Sequence, residues 1–102
     1  MEPVSLILRV LDGLQLRAAA TSNNIANANT PNYRPLEVRF EDMLRSGAEP
    51  QIRARQDVLP GKMRLDQELL TASATAARYG ALTDLVNRRV QMDHLVASGG
   101  RS

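Results

Sequence analysis

The side chains able to do chemistry are few, and their spacing does not favour it. His94 is the single histidine and has no second histidine four residues away, so a helical His-His metal site is not formed. It reads as a surface or interface histidine near a helix C-terminus. Glu41-Asp42 places two carboxylates side by side, but adjacent residues on a helix diverge. They read as a solvated face rather than an acid/base pair. Ser5, Ser22, Ser46, Ser73, Ser98 and Ser102 have no nearby His/Asp partner pattern. The chain has no cysteine, which excludes thiolate nucleophiles, disulfides and Cys-ligated metal. Gly99-Gly100 is a terminal tail, not a phosphate loop. Arg88-Arg89 read as salt-bridge or solvent groups. No cofactor and no metal are expected, and the chain is expected not to be an enzyme.

One polar stretch resists a bland explanation. Thr21-Ser22-Asn23-Asn24-Ile25-Ala26-Asn27-Ala28-Asn29 holds four asparagines of poor helix propensity at what should be a helix end. Asparagine amides carry donors and acceptors on one group, so Asn24, Asn27 and Asn29 can fix register between helices. Thr30-Pro31-Asn32-Tyr33 then reads as a turn, with proline first and a residue tolerant of the left-handed region second. The chemistry predicted here is specific polar packing followed by a sharp turn.

Two long elements must position that turn. From Val4 to Ala28 there is no proline, and Val4, Ile7, Leu11, Leu14, Ala18, Thr21, Ile25 and Ala28 form a 3.5-residue seam. Apolar Leu6, Leu8, Val10 and Leu16 lie off it, so this helix needs more than one neighbour. From Leu65 to Ala97 proline is again absent, and Leu65, Leu69, Ala72, Ala76, Tyr79, Thr83, Val86 and Val90 form a second seam. Asp66 and Glu68 suit its N-terminus and Gly99-Gly100 its end. Between the helices stand Pro31, Pro35, Pro50 and Pro60. A short helix is predicted over 36–45 with Phe40 and Leu44 on one face, and loop or extended chain over 46–62.

The fold class expected is all-α: two long antiparallel terminal helices, a coiled-coil-like hairpin, joined by an irregular middle. The divisions are 1–29 for the N-terminal helix, 30–62 for the connector, and 63–102 for the C-terminal helix and tail. With 102 residues and three aromatics, Tyr33, Phe40 and Tyr79, the core is thin. A lone monomer is expected to be loosely ordered at both ends, with neighbours supplying the rest of the core.

Charge and hydropathy narrow the partners. Thirteen basic residues face eleven acidic ones, spread evenly, so the basic stripe of a nucleic-acid binder is missing. A small helical DNA-binding regulator is therefore a weaker alternative, and no nucleic-acid partner is expected. No stretch approaches the ~20 apolar residues of a membrane span. Glu2 and Arg9 do not fit a cleavable signal peptide.

Ser22-Asn23-Asn24-Ile25-Ala26-Asn27-Ala28-Asn29-Thr30-Pro31-Asn32-Tyr33 resembles the N-terminal signature of bacterial flagellar rod and hook axial proteins. Leu16-Arg17-Ala18 upstream, Phe40 and Leu44 downstream, and Leu65-Asp66-Gln67-Glu68 extend the likeness. Ala77-Arg78-Tyr79-Gly80-Ala81-Leu82 with Leu85 points, within that family, to its proximal rod branch; another axial component is the alternative. The family's turn usually carries glycine where Asn32 stands, and the middle here is short, which leaves the two helices as most of the molecule.

The resemblance implies a structural subunit of the flagellar basal body rod. Such subunits are exported by the flagellar type III apparatus without a cleavable signal and assemble in the periplasm. They stack helically into a hollow rod that transmits torque and passes later export substrates. Implied partners are copies of the chain, other rod proteins, the adapter at the rod base and the export apparatus. The residues expected to carry assembly are Leu6, Ile7, Leu8, Leu11, Leu14 and Leu16 on the first helix and Asn24, Ile25, Asn27, Thr30, Pro31 and Tyr33 at its end. Phe40 in the middle and Tyr79, Leu82 and Val86 on the second helix complete the set. Ile25→Asp is expected to abolish assembly.

Overall fold

The computed structural model describes residues 3–99. Pro3 opens α1 (Pro3–Ala26), where a fixed φ and a missing N–H are harmless. α1 is followed by β1 (Leu36–Glu37), α2 (Phe40–Ser46), β2 (Arg53–Ala54) and α3 (Leu65–Gly99). Asn24 of α1 meets Glu68 near the start of α3, while Val4 and Ile7 share a cleft with Leu85 and Met92. The two long helices therefore run antiparallel, as the sequence predicts, in a molecule 66 Å long. Gly100, half of the expected glycine stop, lies outside the described residues.

α1 ends three residues earlier than its expected boundary at 29. The Asn27 N–H is shared between the carbonyls of Asn23 and Asn24, and the Asn27 side-chain amide donates to the Asn23 carbonyl at 2.8 Å. These bonds satisfy helix-end carbonyls that would otherwise lack partners. The Thr30–Tyr33 turn then closes with the Tyr33 N–H donating to the Thr30 carbonyl at 3.2 Å. Asn32 sits at φ 58°, the left-handed region this turn position requires.

The connector is more ordered than expected. Leu36 and Glu37 pair as a strand rather than joining the short helix predicted over 36–45. β1 and β2 run antiparallel with Leu36 opposite Ala54 and Glu37 opposite Arg53. That second pair adds an ion contact of 3.3 Å across the strands. α2 ends at Gly47 (φ 77°), with the Gly47 N–H donating to Leu44 and the Ala48 N–H to Met43. This is the Schellman arrangement, in which glycine avoids the Cβ penalty.

The core sits where α1 meets the connector. Leu14, Ala20, Val38 and Phe40 are buried, with Val10, Leu16, Leu36, Leu44 and Leu82 packed against them. Gly13 makes this possible: a Cβ there would lie 2.4 Å from Cγ of Phe40. Val10 and Leu16, expected to stay uncovered in a lone hairpin, are half-buried because the connector folds back over them.

α3 departs from its expected seam. Leu65, Leu69, Tyr79 and Val90 are exposed, while Glu68 and Thr75 are buried and Ala72, Leu82 and Val86 are half-buried. At ~100° per residue the packed face lies roughly 50–60° round the helix from the predicted one. The cause is polar: Asn24 and Arg55 hold the Glu68 carboxylate inward. Ala18, Ala72 and Ala76 line a groove beside the contact.

Candidate functional site

Asn24 is 1% exposed, and each hydrogen-bonding position of its amide is used. Its Nδ2 donates to the Leu36 carbonyl at 2.9 Å and to Oε2 of Glu68 at 3.0 Å. Its Oδ1 accepts from the Tyr33 hydroxyl at 2.7 Å and the Leu36 N–H at 2.8 Å. One side chain thus ties together α1, the turn, β1 and α3. A buried amide is tolerable only when satisfied in this way.

Neighbouring groups complete the network. The Tyr33 hydroxyl accepts from Asn23 at 2.9 Å while donating to Asn24. Burial raises its pKa above the ordinary tyrosine value; the bond from Asn23 opposes this and the Glu68 charge adds to it. Thr30 Oγ1 donates to Asn27 Oδ1 at 3.0 Å, so the turn braces the helix end. Arg55 lies 3.6 Å from the other Glu68 oxygen. Its hydrogen bond to Asp57 strengthens its hold on its proton.

A second anchor joins α1 to α2. Arg17 grips Glu41 with both terminal nitrogens, at 3.0 and 2.9 Å, and donates to the Val38 carbonyl at 2.8 Å. Its guanidinium lies 4.5 Å from the Phe40 ring centroid, with Arg78 of α3 at 5.8 Å. Burial pushes the Glu41 carboxyl up, but the Arg17 hydrogen bonds, with the charges of Arg17 and Arg78, bring it below the ordinary carboxylate range. Asp42 points elsewhere, to Arg39 and Arg45. The two carboxylates diverge, as adjacent helical residues should, and Glu41, though 45% exposed, is also a structural ion-pair member. Arg88 and Arg89 pair with Asp84 and Asp93 one turn away on α3.

The residues expected at an assembly surface divide by burial. Leu14, Asn24 and Phe40 are sealed inside the chain and offer a neighbour no surface. The connector covers Leu14 and Phe40, and the turn and α3 cover Asn24. Ile7, Leu11, Leu16, Ile25, Asn27, Tyr33, Leu82 and Val86 are half-buried. Leu6, Leu8, Thr30, Pro31 and Tyr79 are exposed. Sequence reasoning passed over Gly13, Arg17, Arg55 and Glu68 as anchors. A lone glycine in a long helix and a carboxylate beside an apolar seam were the available signals. It also missed the exposure of Leu69, Leu70, Leu95 and Val96.

Among the described residues no cluster of three or more His, Asp or Glu side chains is placed to hold a metal ion. No helix of the described residues is long and apolar enough to cross a membrane. The arrangement supplies polar latches that fix backbone, together with apolar surface outside them.

Residues 11–34 match the family model described as flagella basal body rod protein. The matched stretch runs from the middle of α1 through the turn and contains Gly13, against which Phe40 packs, and Arg17, Asn24 and Tyr33, whose side chains tie α1 to the connector and α3. No curated protein matches the chain. The match makes this stretch of the chain similar to flagellar basal body rod proteins.

Proposed function

We propose that this chain is a subunit of the proximal rod of the bacterial flagellar basal body, the rod protein called FlgB. The match at residues 11–34 carries the reading to the rod family. The run Arg78-Tyr79-Gly80-Ala81-Leu82 on α3 favours the proximal member, and another axial rod component is the neighbouring reading.

In this reading copies stack helically into a hollow rod in the periplasm, beside other rod proteins and the adapter at the rod base. The flagellar type III export apparatus delivers them, and the finished channel passes later substrates. The latches at Asn24 and Arg17 give each subunit a rigid end that resists shear, as torque transmission requires. Exposed Leu6 and Leu8 on α1, with Leu65, Leu69 and Tyr79 on α3, are buried between copies. At about 25 cal/mol per Å² such burial drives assembly. Half-buried Ile7, Leu11, Leu16, Ile25, Leu82 and Val86 support that surface from beneath. Thr30, Pro31, Tyr33 and Asn27 shape the end of the subunit that meets its neighbour.

Deletion and complementation test the reading. Loss of the gene should leave cells without rods and unable to swim, and the wild-type gene should restore both. Normal rods in the deletion strain would refute it.

A further inference from the structure

α3 carries two faces that suit α1, and only one of them is in use. The packed face holds Glu68 and Thr75, both buried, with half-buried Leu82 and Val86. Its two buried members are polar. The apolar face beside it leaves Leu65 and Leu69 42% and 51% exposed, and Ala76 is exposed as well. At ~100° per residue, Leu65, Leu69 and Ala76 stand about 60–100° from Glu68, all in the same sense round the helix.

The space beside the contact lies on that same side. Leu14, Ala18 and Ser22 of α1 and Ala72, Ala76 and Gly80 of α3 line a groove of about 470 Å³. Most of these side chains are small, a Cβ added at Gly80 would meet nothing within 4 Å, and no connector residue lines the groove. A turn of α3 toward this side meets open space.

What holds α3 in its observed orientation is polar. Asn24 donates to Glu68 at 3.0 Å, Arg55 lies 3.6 Å from the same carboxylate, and Arg78 lies 3.8 Å from Glu41. Two of these three links end on one side chain, Glu68. The segment that leads into α3, residues 55–64, contains no helix or strand, so it can follow a turn of α3 without breaking a regular element.

We propose that Glu68 is a latch between two orientations of α3 on α1 of the same chain. In the observed orientation Leu65 and Leu69 face outward. In the other, α3 turns by roughly 50–60° toward the groove and closes it. Leu65, Leu69 and Ala76 then meet the α1 seam that includes Leu14, Ala18 and Ile25, and Glu68 and Thr75 pass to solvent. Two packings that exchange polar links for apolar contact make a bistable element. The latch decides whether the chain presents the apolar face of α3 or hides it. This is a property of the single chain and stands apart from the rod reading.

The chain has no cysteine, so single introduced thiols report each face in the purified full-length protein. Thr75→Cys and Ala76→Cys fall on neighbouring residues, one buried and one exposed. Without further change, the thiol at position 76 should react quickly with a soluble maleimide and the thiol at position 75 slowly. Glu68→Ala removes the latch while favouring helix. It should speed labelling at 75 and slow it at 76, each by about tenfold, as a minor orientation becomes the major one. Adding Leu69→Glu, which charges the alternative face, should return both rates toward their starting values. Faster labelling at both positions would show that α3 loosens rather than turns, and unchanged rates would show a single orientation. Either result, or a Glu68→Ala pattern that Leu69→Glu leaves in place, overturns the proposal.

Discussion

Asn24 and Glu68 meet at 3.0 Å across the two long helices, 44 residues apart in sequence, and both are buried. Shifting α3 along α1 by one turn would leave the amide and the carboxylate without each other, so this bond fixes the register of the hairpin. Asn24→Ala would strand the Leu36 N–H and carbonyl, the Tyr33 hydroxyl and one Glu68 oxygen. Each unsatisfied buried group costs about 1–3 kcal/mol, so a loss of about 3 kcal/mol or more is expected. Asn24→Asp should cost more at neutral pH, because it sets a second carboxylate against Glu68, and part of that cost should be recovered in acid. Urea melts of both variants measure this; an Asn24→Ala loss under about 0.5 kcal/mol would remove Asn24 as the latch.

Gly13 and Phe40 pack so closely that a Cβ at Gly13 would lie 2.4 Å from Cγ of the ring. Gly13→Ala improves helix propensity by about 1 kcal/mol, yet forces a methyl group into the ring of a buried phenylalanine. Overpacking costs about 1–3 kcal/mol, so net destabilisation is expected. Combining it with Phe40→Leu should be less harmful than the two single changes added together. Strict additivity would show that the two sites do not touch.

Glu41 makes acid sensitivity local. Its folded carboxyl titrates below its unfolded value because Arg17 and Arg78 outweigh burial. The stabilisation is therefore present above the ordinary glutamate pKa of about 4.3 and is lost as pH falls through the lower, folded value. The side chain is 45% exposed, so solvent screening keeps the effect small. Arg17→Met should raise the Glu41 titration midpoint in a carboxyl NMR titration. An unchanged midpoint would contradict the assigned cause.

Leu6 and Leu8 test surface against core. Both are exposed at one end of α1, so Leu6→Glu with Leu8→Glu should leave helical circular dichroism unchanged while abolishing swimming. Ile25→Asp should also abolish swimming, but it strikes a half-buried position and should lower stability as well. Normal motility of the Leu6/Leu8 variant would remove this face from the assembly surface.

Much of the architecture was legible because it is periodic. The seam on α1 marks the face that meets α3, and Thr30-Pro31-Asn32-Tyr33 encodes its turn in residue types alone. The seam on α3 misled because its alanines and leucines make several faces nearly equal in hydropathy. The choice among them falls to Glu68, whose partners Asn24 and Arg55 lie 44 and 13 residues away. Periodicity carries no record of such pairs. Asn24 was legible as a special amide but not as an internal one, since the groups that enclose it come from three other segments.

The central claim, that the chain builds the rod, is tested most directly by locating it in isolated flagellar basal bodies. Quantitative mass spectrometry of purified basal bodies, with antibody labelling in electron micrographs, should find the chain in the rod at a fixed ratio to other rod proteins. Its absence from basal bodies of swimming cells that express it would contradict the account.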